Sequence, residues 1–159
     1  MARMETVTAT VDSLGLDATE TGVLAVVRHF LTSFARPESQ AWILAYGTAT
    51  ERWGHSDGAR LAQGVLAVLQ ATLKAREGQG LRFGDPLCPC CRGKATPDEA
   101  ALMTMLHHMR RDETGLARIA LADLTQGRMD AGLIRAGLSL AALFPAQGPA
   151  KPAAAIVFH

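Results

Sequence analysis

The chain has few aromatic residues, little charge and only three cysteines. Phe, Trp and Tyr together make up 5% of its 159 residues, with a single tyrosine. A core built on large rings is therefore excluded, and Ala, Leu, Val and Met must supply it. Their modest size lets helices approach closely. Neither sign of charge dominates: 16 Lys and Arg against 15 Asp and Glu give a formal net charge of +1. A global basic field of the kind that draws a protein to nucleic acid is absent, which argues against that partner. Charged residues are 19% and hydrophobic residues 48% of the chain, far from the composition of a disordered segment. No apolar run reaches the roughly 20 residues of a membrane helix. Met1-Ala2-Arg3-Met4-Glu5-Thr6 lacks the apolar stretch of a secretory signal. The expectation is a cytoplasmic chain without membrane contact. In that compartment thiols stay reduced, and clustered cysteines are more often metal ligands or redox groups than disulfides.

The usual signatures of catalysis are missing too. There is no phosphate loop with its Lys-Ser/Thr pair and no dinucleotide fingerprint after a strand. No Ser-His-Asp grouping is readable. The carboxylate pairs Asp98-Glu99 and Asp112-Glu113 are accounted for by helix starts. No catalytic residue is assigned, and the reading leans away from an enzyme.

What is present is helical periodicity over most of the length. Asp17-Ala18-Thr19-Glu20 has the spacing of a capping box, and Val23, Val27, Phe30, Leu31 and Phe34 follow on one stripe. Pro37 ends that helix and is a good first-turn residue for the next, over 37–53, with Trp42, Ala45, Tyr46, Ala49 and Trp53 on one face. A helix over 57–77 turns Leu61, Val65, Val68, Leu69 and Leu73 inward, and Gly78 and Gly80 close it. Thr96-Pro97-Asp98-Glu99 is a second capping box and opens a helix to about residue 110, with Leu102, Met105, Leu106 and Met109 inward. Arg110-Arg111-Asp112-Glu113 reads as a solvated joint. Helices over 113–126, with Leu116 and Leu121 inward, and over 129–143 complete the set. The predicted fold is all-α, a compact bundle of about six helices. A loosely structured lead (1–16), which could also form a short extended arm at Val7–Val11, precedes the helical domain (17–144). A Pro/Ala-rich tail (145–159) follows it.

The helices are interrupted once, by the long irregular segment 78–95. Such a loop inside a compact domain points to function or to an ordering constraint such as a metal. All three cysteines lie in it, within Cys88-Pro89-Cys90-Cys91. Three thiolates this close can hold a soft or borderline cation, and a structural zinc site needs four ligands. The fourth is sought among the histidines. His107 and His108 are nearest in sequence after the cluster, and at most one of them can serve. Folding the loop back along its own following helix is nearly taut: that helix rises about 15 Å to His107, while the five residues from Cys91 to Thr96 span about 17 Å extended. His29, His55 and His159 are the alternatives. Zinc is the first expectation for the cofactor and an iron–sulfur cluster the second, since most such clusters use four cysteines.

The leading functional expectation is a non-catalytic regulatory or interaction protein whose Cys-x-Cys-Cys loop is ordered by zinc. It would engage a protein partner or a second copy of itself; no substrate is readable. The first alternative is a thiol redox protein or sensor using the same cysteines. A further alternative is a helix-turn-helix-like regulator, with helices 97–110 and 113–126 as the motif and Arg110 and Arg111 on phosphates. The near-neutral charge and the apolar second helix count against it.

Overall fold

The computed structural model describes residues 9–146. Among them are six α-helices: α1 (Ala18–Ala35), α2 (Trp42–Trp53), α3 (His55–Ala75), α4 (Pro97–Met109), α5 (Thr114–Thr125) and α6 (Ala131–Leu143). The all-α bundle expected from the periodicity is the observed fold. Neighbours in sequence pack together as α1 on α2, α2 on α3 and α4 on α5, while α6 returns across the chain to lie on α3. The core they enclose is aliphatic and sulfur-rich, with Phe30, Leu61, Leu69, Leu102, Met103, Met105, Leu121, Leu124 and Leu133 fully buried. Thin side chains allow the closest crossings. A Cβ on Gly58 of α3 would stand 2.5 Å from the Ala49 carbonyl oxygen of α2, so only glycine fits that contact.

Both capping boxes form as the spacing predicts. Asp17 accepts from Glu20 N–H at 2.8 Å and Glu20 accepts from Asp17 N–H at 3.0 Å. Thr96 and Glu99 exchange the corresponding bonds at 3.1 and 3.0 Å. Each therefore starts its helix by satisfying N–H groups that have no partner within the helix.

Three expectations are corrected. The helix foreseen over 37–53 is broken: Pro37–Ser39 forms a 3₁₀ turn and α2 begins only at Trp42. Gln40 takes a left-handed conformation (φ 50°), and Ser39 Oγ accepts from Ala41 N–H, which ends the turn locally. Trp42 is half exposed, together with Ile43 and Leu44. Three successive helical residues point about 100° apart, so they cannot share one buried face. Leu116 is also exposed, because α5 buries Ala117, Ala120, Leu121 and Leu124, and Leu116 lies one step round the helix from that stripe.

Residues 9 and 10 of the lead pair antiparallel with the end of the long loop: β1 (Ala9–Thr10) lies on β2 (Lys94–Ala95), and Val11 N–H donates to the Gly93 carbonyl at 2.9 Å. The rest of the Val7–Val11 run upstream of Ala9 lies outside the described residues, as do the tail beyond Ala146 and its His159.

Candidate functional site

The cysteine loop is fastened to the bundle by a buried ion pair. Arg28 of α1 and Glu99 of α4 meet at 2.9 Å, with side chains 4% and 1% exposed. Around that pair the loop backbone is collected. Gly84 N–H donates to Glu99 Oε1 at 2.8 Å, and Arg28 donates to the carbonyls of Lys94 at 2.5 Å and Arg92 at 3.4 Å. The N3 glutamate of a capping box thus also anchors both ends of the segment that carries the thiols.

Within the segment the chain turns three times in succession. Cys88 N–H donates to the Asp85 carbonyl at 3.2 Å, Cys91 N–H to the Cys88 carbonyl at 3.1 Å, and Lys94 N–H to the Cys91 carbonyl at 3.1 Å. The middle turn brings Cys88 and Cys91 side by side. All three cysteines are free thiols; Cys88 and Cys91 are half-buried and Cys90 is exposed. The Cys91 thiol faces the Cys88 sulfur, and the Cys91 and Cys90 amides stand near the same atom. These neighbours hold the Cys88 thiol below the usual thiol range, against burial and the nearby Asp85 carboxylate. The Cys88 side chain pushes the Cys91 thiol up, and burial adds to it. The two neighbouring thiols are therefore shifted in opposite directions, Cys88 down and Cys91 up.

The histidines expected near the cysteines are elsewhere. His107 Nδ1 lies 2.8 Å from Glu20 Oε1, and His108 Nδ1 lies 3.4 Å from Glu113 Oε1. His107, His108 and Glu113 offer donor atoms within 4.8 Å of one another; among the described residues, no set of three or more donors that close includes a cysteine. The structure thus unites the two histidines with a carboxylate and unites Cys88 with Cys91, without joining the groups. His29 is the histidine beside the loop: with Arg28, Pro86 and Arg92 it lines a cleft, and its buried Nδ1 has no hydrogen-bond partner. Burial holds its imidazole below the ordinary range, partly offset by Asp85.

The charged joint after α4 is not solvated as its composition suggests. Arg110 and Arg111 have side chains 8% and 24% exposed, and both grip Glu20 and Asp17. Arg110 also donates to the Phe144 carbonyl at 2.6 Å, tying the end of α6 to the same knot. The sequence offered no local signal for it, since the glutamate they grip is some ninety residues away at the start of α1. Nothing local says that α1 and α4 run antiparallel and side by side.

Comparison of the chain with protein families, with curated proteins and with solved structures finds no match in any of the three.

Proposed function

We propose that this is a dithiol redox protein, with Cys88 as the attacking thiolate and Cys91 as the resolving thiol. The observation that carries the reading is the turn, closed by the Cys91 N–H on the Cys88 carbonyl at 3.1 Å, that sets two free, half-buried thiols beside each other; their opposite shifts suggest which one attacks. A thiolate is the nucleophile in thiol–disulfide exchange, and local donors raise its population near neutral pH. With a small disulfide RSSR as oxidant, Cys88 S⁻ attacks one sulfur, forms a mixed disulfide and releases RS⁻. Cys91 then loses its proton and attacks the Cys88 sulfur, closing Cys88–Cys91 and releasing the second RS⁻. The sum is protein dithiol plus RSSR giving protein disulfide plus two RSH. Cys90, exposed between them, takes no part in the closure. The partner class is a disulfide, in a small molecule or on another protein.

The zinc-ordered loop is the second reading, favoured by the lowering of the Cys88 thiol, which suits a metal thiolate equally well. Against it, the two thiols in contact are two donors short of a closed zinc site, and the Arg28–Glu99 pair already supplies a reason for the loop's order. One experiment separates the two. Protein purified without a metal column is assayed for zinc, then treated with oxidised glutathione and mapped by mass spectrometry. The dithiol reading expects a Cys88–Cys91 disulfide, and glutathione trapped on Cys88 in Cys91→Ala. About one zinc per chain, with thiols that react only after chelation, would replace it by the metal-ordered loop.

A further inference from the structure

We propose a second, independent site: a divalent first-row metal ion, zinc foremost, bound at the α4–α5 corner by His107, His108 and Glu113. The three donors already lie within 4.8 Å of one another. Zinc–nitrogen and zinc–oxygen bonds of about 2.0–2.2 Å place tetrahedral ligands about 3.3–3.5 Å apart. The closure required is small, and Glu113, 40% exposed on the outer side of the corner, has the freedom to provide it. Two imidazoles and one carboxylate form a borderline donor set that suits zinc, and they leave a coordination position open.

The observation that turns this group into a site is on its inner side. Glu20 is buried, and its carboxylate is paired with the guanidiniums of Arg110 and Arg111 and accepts from the Asp17 N–H. An ionised carboxylate only accepts hydrogen bonds. The Nδ1 of His107, at 2.8 Å from Glu20 Oε1, must therefore carry the proton. In the neutral ring that leaves the lone pair on Nε2. A carboxylate that fixes the far nitrogen of a histidine is the arrangement that orients metal-binding imidazoles. The two arginines nearby do not oppose a cation there, because both guanidiniums are directed onto Glu20 and Asp17.

The corner itself is pre-shaped. Glu113 N–H and Arg111 N–H both donate to the His108 carbonyl, at 2.9 and 3.1 Å, and Asp112 between them is left-handed at φ 57°. This backbone holds Glu113 against the last turn of α4. A bound ion would staple the C-terminal end of α4 to the start of α5.

The test is zinc titration by calorimetry in the full chain carrying Cys88→Ser, Cys90→Ser and Cys91→Ser, so that thiol binding cannot contribute. The expected result is one zinc per chain, with affinity lowered at least about 10-fold by His108→Ala and by Glu113→Gln and unchanged by His55→Ala, an exposed histidine elsewhere. Nitrogen chemical shifts of the His107 ring should report Nδ1–H in the metal-free protein. Absence of binding in the serine background, binding indifferent to His108 and Glu113, or an Nε2–H tautomer each overturn the assignment. None of these outcomes bears on the disulfide chemistry of the loop.

Discussion

Glu20 shows how much a single side chain can carry in this molecule. It completes the cap of α1, neutralises Arg110 and Arg111 and fixes the His107 ring. Its carboxyl is held from an ordinary 4.5 down to about 2. A folded-state value below the unfolded one stabilises the protein above the unfolded value, and the contribution is lost as pH falls toward the folded one. From these values it is about 3 kcal/mol at neutral pH. Stability should hold from pH 7 to about 5 and then fall between about 4.5 and 2. Glu20→Gln should lose about 3 kcal/mol at pH 7 in urea titrations and flatten that acid limb; an unchanged limb would mean that other carboxylates produce it. The capping role of Glu20 was legible from Asp17-Ala18-Thr19-Glu20 alone. Its ion pairs were not, because a local motif carries no information about which distant cation will arrive.

The thiols make the complementary case. Their clustering was plain in the sequence, and so was their chemistry in outline. The division of labour was hidden, since it depends on how the folded turn places the two sulfurs. Replacing Cys91 by alanine removes the thiol that faces Cys88. The pH at which Cys88 alkylation reaches half its maximal rate should rise, and the rate at pH 7 should drop. A Cys88 that titrates identically in both proteins would dissolve the pair.

At the scale of elements, the long loop 78–95, with no helix and no long strand, pointed to function or to an ordering constraint such as a metal. The structure shows fastenings within the chain: Arg28 and Glu99 at its base and the β1–β2 pairing beside its end. The periodicity of α1 hides Arg28, which sits among apolar neighbours and is 4% exposed. A buried arginine at such a position is a signal in itself, since a charge there requires a partner. Removing one member of a buried pair leaves the other uncompensated, and Arg28→Met should cost about 3–5 kcal/mol. The damage should be directional: hydrogen exchange at Gly84, whose N–H is held by Glu99, should accelerate more than exchange in α3. Uniform acceleration would show that the pair supports the whole bundle rather than the loop. At the α2–α3 crossing, Gly58→Ala should cost about 1–3 kcal/mol, the range for forcing a methyl into a close-packed contact, because its neighbour there is backbone.

For the whole molecule, the decisive fact is where the core is and where the cysteines are. The buried apolar cluster draws on all six helices, on Val11, Leu81 and Ala95, and on no cysteine. Periodicity made most of that core readable, because a stripe at helical spacing must find an apolar partner somewhere. It failed at Phe34, Trp42 and Leu116, all of them exposed although each falls on an apolar stripe in the sequence. It follows that the thiols can be removed without disturbing what holds the fold together. Substitutions at sites outside the packing usually change stability by less than about 0.5 kcal/mol, which in a chain of this size moves the melting temperature by about 1–2 °C. The variant carrying serine at 88, 90 and 91 should therefore melt within that margin of the parent, while losing all disulfide exchange with oxidised glutathione. A zinc-ordered loop predicts the reverse. Metal binding only to the folded state adds its binding free energy to folding, about 2.7 kcal/mol at a concentration 100-fold above Kd. Deleting the ligands would then lower the melting temperature several degrees and release the ion. A drop of that size, with zinc found in the parent and absent from the variant, would transfer the cysteine loop from chemistry to architecture.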